Sequence, residues 1–295
     1  MSSSLHKKNT RFYLILLIPA VCLYCLALIG PLFMGTVPSA FYDWNIIKAK
    51  RNFIGLGNFM ELFRDKQFLT SLVFTLKLGI VTVTLNNIAA FTISYFLNER
   101  IFAKGLTRSM FFMPNTIGGI MVSFIWCFLF TNVFPKMFAA AGMESLAQIS
   151  WFGSGSMAFI TIVVAAVWTG SGFLMVLYLA GLQNISTDIL EAGEIDGCTG
   201  LKKVVMIQLP LLMPTITINL FVSIAGAFKS FDIPYAMTGG GPAGATNTIA
   251  LNIYRDAFST YNMGYACAKS VILFVIVMII TCGQLRLTRT KEVQM

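Results

Sequence analysis

"FYLILLIPAVCLYCLALIG" (residues 12–30) decides the fold class. No charged residue occurs from Phe12 to Tyr42, and a helix needs about 20 mainly apolar residues to cross a bilayer. Lys7, Lys8 and Arg11 precede it as they would a secretory signal. The apolar run is too long for the core of such a signal, so it reads as a retained first helix. Five further stretches between charges have similar length. The expected spans are therefore roughly 12–35, 69–97, 109–131, 157–181, 208–234 and 262–285.

Composition agrees. Hydrophobic residues make up 57% of the chain and charged ones 11%, with mean hydropathy +0.77. Soluble domains carry roughly 25% charged residues, so these charges cannot cover a globular surface. Segments of helical length, without ten-residue alternating strands, exclude a transmembrane β-barrel. The expected fold is an all-α integral membrane protein with six transmembrane helices. The net charge of +9 is scattered over helix ends, which fits topology and lipid headgroups rather than nucleic acid. Six cysteines and one histidine form no metal-ligand pattern; Cys22 and Cys25 sit in an apolar span, where packing is their role.

Six spans place both termini on one side. With the N-terminus inside, the inner segments hold Lys7, Lys8, Arg11, Arg100, Lys104, Arg108, Lys202, Lys203, Arg286, Arg289 and Lys291, against a smaller outer set of Lys48, Lys50, Arg51, Arg64, Lys66, Lys136 and Arg255. That bias follows the positive-inside rule and makes both termini cytoplasmic. In the first outer loop Phe59, Leu62 and Phe63 fall at i, i+3 and i+4, which predicts a short interfacial helix. The loop "MTGGGPAGATNT" (237–248) is too rich in glycine for a helix and lacks the Lys-Ser/Thr of a phosphate-binding loop. Any ATP-driven step must therefore use another polypeptide.

"EAGEIDGCTG" (191–200) is the anomaly: Asp188, Glu191, Glu194 and Asp196 crowd between two apolar segments of a chain poor in acids. Ser186 or Thr187 can cap a helix whose positive end Asp188 and Glu191 complement, and Asp188-x-x-Glu191 has capping-box spacing. Ala192 and Gly193 leave a small-residue surface, and Gly197 and Gly200 can end the helix. Two readings stand on these residues: a well-capped solvated loop helix, or a docking element for a cytoplasmic partner. Catalysis is disfavoured, because no nucleophile accompanies the carboxylates.

Glu191-Ala192-Gly193, three residues, Gly197, nine residues, Ile207, one residue and Leu209-Pro210 together resemble the EAA motif of inner-membrane permeases in binding-protein-dependent ABC importers. Gly193 departs from the usual alanine, a change that loosens a helix by up to about 1 kcal/mol. "FIGLGNF" (53–59), "FKSFDIPYAMTGGGPAGATNT" (228–248) and "YRDAFSTYNMGYACAKS" (254–270) resemble the carbohydrate branch, in particular the first-type membrane subunit of maltose transporters.

The resemblance implies a type I ABC importer permease bundle in the bacterial-type inner membrane. It comprises a cytoplasmic tail (1–11), a permease domain (12–287) with the EAA coupling loop at 186–210, and a second cytoplasmic tail (288–295). It implies a heterodimer with a second permease subunit, a cytoplasmic ATPase dimer that uses ATP and Mg, and an extracytoplasmic solute-binding protein. No cofactor is expected on this chain itself. Coupling to the ATPase falls to Glu191, Ala192, Gly193 and Gly197, with Asp188, Glu194 and Asp196 at the rim. Sugars bind through aromatic faces and hydroxyl-bonding groups in a mainly apolar wall. The candidates in the spans are Asn86, Asn87, Trp126, Trp168, Ser171, Asn219, Ser223, Phe228 and Tyr235. For most of them, bonding within the bundle is the competing role. The expected function is sugar import; a sister system for glycerol phosphate or another small polar solute is the alternative. A self-contained secondary transporter would call for inverted repeats or embedded paired acids, and a membrane enzyme for a catalytic cluster; the sequence has neither.

Overall fold

Runs of apolar residues without charge become long helices in a computed structural model that describes residues 17–48, 51–98 and 104–290. The N-terminal tail, the start of the first span and residues 291–295 lie outside the described residues. So do the expected inner cations Lys7, Lys8, Arg11, Arg100 and Lys291. Among the described residues five helices are long and apolar enough to cross a membrane: α1 Leu17–Ser39, α3 Lys66–Asn98, α5 Gly119–Ala140, α6 Gly155–Gln183 and α12 Met263–Arg289. A bent pair, α8 Gly200–Leu211 and α9 Met213–Phe228, supplies a sixth. Apart from a single turn at Glu144–Ala147, the remaining helices among the described residues are α2 Gly57–Leu62, α4 Lys104–Thr116, α7 Thr187–Ile195, α10 Asp232–Thr238 and α11 Ile249–Phe258.

Two expected spans need correction. The stretch 109–131 is not one helix. Pro114 weakens the ladder of α4, which stops at Thr116. Gly118 then takes an extended ψ of 140°, and α5 starts at Gly119. The stretch 208–234 is also broken: α8 and α9 meet at 75°. Pro210 and Pro214 flank the break and remove two backbone donors. The helix then ends at Phe228, and Asp232 begins a new one.

The chain divides into two compact units. One runs to Asp65 and includes Ile253–Ile272. Its antiparallel hairpin pairs β1 Tyr42–Trp44 with β2 Arg51–Phe53, Tyr42 facing Phe53 and Trp44 facing Arg51. The Arg51 guanidinium lies 3.6 Å over the Trp44 ring. Buried Asn58 of α2 donates to the carbonyls of Ala40 and Tyr42 at 2.8 and 3.0 Å, fixing the chain where α1 gives way to the hairpin. The face expected on α2 is split. Leu62 is fully buried and Phe59 packs on Phe41, but Phe63 falls past the helix end and is exposed.

Lys269 of α12 is 2% exposed in this unit. Its ammonium reaches Asp256 of α11 at 2.6 Å and Asp65 at 3.1 Å, and the Tyr265 hydroxyl donates to Asp65 at 2.9 Å. The end of the N-terminal segment at Asp65 is thus joined to α11 and α12 through one buried cation. Burial pushes the Asp256 carboxyl above the usual carboxylate range, with Lys269 opposing the shift.

The other unit, Lys66–Asn252 with the chain from Leu273, has α3 against α6 at its centre. Ala90 and Leu97 meet Leu174, Met175, Tyr178 and Leu179, and Phe74 and Leu78 meet Ile162 and Val163. Of the candidate site residues, Asn86, Asn87, Trp168 and Ser171 stand on these two helices.

Candidate solute cavity and docking hairpin

The acidic stretch folds as a helical hairpin. Ser186 is the N-cap of α7, and its hydroxyl accepts from the Asp188 N–H at 3.3 Å. Asp188 therefore lies inside the first turn, where its charge complements the helix dipole. The capping box expected from Asp188-x-x-Glu191 does not form, because Asp188 is not the cap. Gly197 ends the helix with φ +79°. Its N–H bonds the Glu194 carbonyl at 3.0 Å, and the Cys198 N–H bonds the Gly193 carbonyl at 2.8 Å. That pair of bonds is a Schellman stop, which a left-handed glycine makes accessible.

Gly193 turns inward, not outward. It is the buried residue of α7, and a methyl group there would overlap Ile207 Cδ1 of α8. The space left by the missing side chain is filled within the hairpin, so Gly193 is not part of an open docking surface. Lys203 holds Glu194 at 2.6 Å, a second tie between the two arms. Asp188, Glu191, Ala192, Asp196 and Gly197 are exposed. Two apolar residues beside them stand bare, Ile195 at 87% and Leu201 at 83% exposure. An apolar edge ringed by carboxylates, on a braced hairpin, suits a protein partner better than water.

A Gly193→Leu substitution is expected to pry the arms apart at a cost of about 1–3 kcal/mol, and Ile207→Ala in the same chain should restore most of it. Amide exchange across 187–211 reads this directly. Unchanged protection in Gly193→Leu alone would mean that Ile207 does not rest on Gly193.

A cavity of about 360 Å³ opens between α3, α6 and α9. Its polar rim comes from Thr82, Asn86, Asn115, Thr169, Ser223 and Ser230, against a wall that includes Phe173 and Leu174. No charged side chain lines it. Asn86 is 9% exposed, and its Oδ1 has no hydrogen-bond partner among the described residues. An orphaned buried acceptor costs about 1–3 kcal/mol unless something donates to it.

Of the expected pathway residues, Asn86 and Ser223 line the cavity. Ser223 also joins Asn87, Asn219 and Tyr178 in a web between helices. Tyr178 donates to Asn87 Oδ1 at 2.9 Å, and Asn87 donates to Ser223 Oγ at 3.1 Å. Ser223 donates to the Asn219 carbonyl at 2.7 Å, and Asn219 to the Leu174 carbonyl at 3.4 Å. Trp126 and Trp168 pack edge to face at 5.7 Å in an aromatic cluster with Phe130 and Phe134. Ser171 and Phe228 are buried away from the cavity wall, and Tyr235 stacks on Phe231 at 5.1 Å.

Residues 87–290 match the family described as binding-protein-dependent transport system inner membrane component. The chain belongs to that family. It is 34% identical over 288 residues to the probable starch degradation products transport system permease protein AmyD of Thermoanaerobacterium thermosulfurigenes, covering 98% of this chain and 97% of that one. It is also 34% identical over 243 residues to the sn-glycerol-3-phosphate transport system permease protein UgpA of Agrobacterium fabrum, covering 81% and 82% of the two chains. The fold matches a chain from the crystal structure of a bacterial ABC transporter involved in the import of the acidic polysaccharide alginate. The TM-score is 0.81 at 20% identity, over 97% of this chain and 98% of that one. The protein is an ABC importer permease, a transport subunit and not itself an enzyme.

Thr82, Asn115, Thr169, Phe173 and Ser230 were not among the expected pathway residues of this permease. Helical spacing carries the signal for Thr82, which is i, i+4 with Asn86 on α3 and shares its face, whereas Ser230 lies past the end of α9 at Phe228. Asn115 stands on the short helix α4, whose break from α5 hid its position. No group of three or more metal-binding side chains occurs among the described residues.

Proposed function

We propose that this permease is one of two membrane subunits of an ATP-driven sugar importer and that the α3–α6–α9 cavity is its part of the solute path. The carrying observation is the cavity itself, polar but uncharged, with an unpaired amide oxygen at Asn86. Hydroxylated neutral solutes offer donors to such a wall, and Phe173 offers a ring face to a sugar. A phosphate would enter it without a lining cation to compensate its charge. The likeness to a glycerol-phosphate permease supports the alternative solute; the uncharged wall favours the sugar.

In this reading the 186–210 hairpin docks on the cytoplasmic ATPase dimer, which binds ATP and Mg, and both chain termini are cytoplasmic. A second permease subunit completes the pathway, and an extracytoplasmic binding protein delivers the solute. Glu191, Ala192 and Ile195 form the contact, with Asp188 and Asp196 at its rim. Gly193 and Glu194 brace the hairpin from within.

The test is uptake by the four-component complex in proteoliposomes, with neutral sugars and sn-glycerol 3-phosphate offered in turn. ATP-dependent accumulation of a neutral sugar is expected; accumulation of glycerol phosphate alone would overturn the sugar reading. The cavity is tested by a contrast. Asn86→Ala removes no side-chain hydrogen bond among the described residues, so thermal stability should hold while uptake falls. Asn87→Ala strands the Tyr178 hydroxyl and should cost about 1–3 kcal/mol of stability. Uptake by Asn86→Ala at the unaltered rate would place the solute elsewhere.

A further inference from the structure

A second cavity lies in the larger unit, between the first turns of α9 and the last turns of α12. It measures about 390 Å³ and is lined by Pro214, Thr217, Ile218, Phe221, Leu285 and Arg289. Gln284 of α12 donates to the Thr217 carbonyl at 3.3 Å and fixes the separation of the two helices at this groove. Ile218 and Phe221 are 54% and 42% exposed, so the groove is open along its apolar length. Arg289, in the last helical turn, closes one end and makes no ion pair among the described residues. An apolar trough that ends in a lone guanidinium at a helix terminus has the pattern of a single amphiphile: hydrocarbon along the helices and an anionic head at the membrane boundary.

We propose that this groove is a binding site for one anionic phospholipid, an acyl chain lying against Ile218 and Phe221 and the phosphate on Arg289. The position gives the site a consequence. Pro214 lies two residues beyond the 75° break at Leu212, and α8 on the far side of that break is one arm of the docking hairpin. A lipid held there packs against the first turns of α9 and stiffens the joint through which the hairpin connects to the solute cavity. Transport would then depend on anionic lipid through a contact with this chain and not only through the general charge of the membrane surface. The inference rests on family membership and does not need the solute to be a sugar.

The complex is purified with its partner subunits, and retained lipid is measured by native mass spectrometry. Arg289→Gln is expected to lower retention of phosphatidylglycerol about fivefold, the worth of one cation near an anionic surface. Arg286→Gln, one turn away and outside the groove, should leave retention as it was. In vesicles of pure phosphatidylcholine, wild type and Arg289→Gln should hydrolyse ATP at equal rates, which separates lipid loss from misfolding. Adding phosphatidylglycerol should stimulate only the protein that carries Arg289. Equal retention by the two proteins would overturn the site. So would a photo-reactive residue at Ile218 that labels the second permease subunit instead of lipid.

Discussion

Lys269→Met is expected to cost about 3–5 kcal/mol of stability, the usual penalty for stripping the partner from buried charges. The ammonium is the shared counter-ion of Asp65 and Asp256, and methionine would leave two carboxylates facing each other without it. Asp65 alone keeps a donor, the Tyr265 hydroxyl. Three elements lose their common tie, so the effect should appear as early unfolding of the unit that contains the β1–β2 hairpin. Differential scanning fluorimetry of the purified complex measures the shift, and amide exchange locates it. The triple variant Lys269→Met, Asp65→Asn, Asp256→Asn should recover most of the loss, because neutral amides remove the uncompensated charge. Lys269→Met with wild-type melting behaviour would sink the assignment of Lys269 as the tie.

Glu191→Lys is expected to do the opposite: leave the fold and remove the function. Glu191 is exposed, and no side chain among the described residues holds it. Glu191 sits mid-helix, beyond the first turn of α7, so reversing its charge costs little against the dipole. Against a partner that meets this carboxylate with a cation, reversal turns an attraction into repulsion and should lower coupled uptake by tenfold or more, since each 1.4 kcal/mol is a factor of ten (about 2 kcal/mol suffices). The readouts are the ratio of solute moved to ATP hydrolysed in proteoliposomes and the fraction of ATPase retained on purification. Normal uptake with normal ATPase retention would remove Glu191 from the docking contact. The Glu194→Gln variant gives a useful contrast. Its carboxylate is engaged by Lys203, so it should loosen the hairpin modestly and spare docking charge.

The helix inventory was legible because it depends on local composition: a bilayer span is set by about 20 apolar residues in a row, whatever they later touch. The ends were less so. Pro114 and the Gly118-Gly119 pair interrupt what hydropathy reads as one apolar stretch, and Pro210 and Pro214 break another. Hydropathy does not register a missing N–H. On α7 the sequence located the cap at Ser186 or Thr187 and the stop at Gly197, both matters of backbone geometry within a few residues. It misread Gly193, whose small size serves Ile207, fourteen positions away.

The candidate solute site divided along the same line. That Asn86, Asn87, Asn219 and Ser223 stand on polar stripes of apolar helices was plain from the sequence. Which of them would satisfy each other was not, because Asn86 and Asn87 differ by one step of about 100° around the helix. Asn87 turns to Tyr178 and Ser223, whereas Asn86 turns to the cavity. By itself the sequence determined a bundle of membrane helices, a capped acidic hairpin with its EAA pattern, and therefore the family. Tertiary structure alone decided that Lys269 ties Asp65 to Asp256, that Gly193 is a packing residue, and that Asn86 Oδ1 is left without a partner among the described residues at the cavity. These outcomes depend on contacts between segments far apart in the chain, and the residue types only list the bonds that could form.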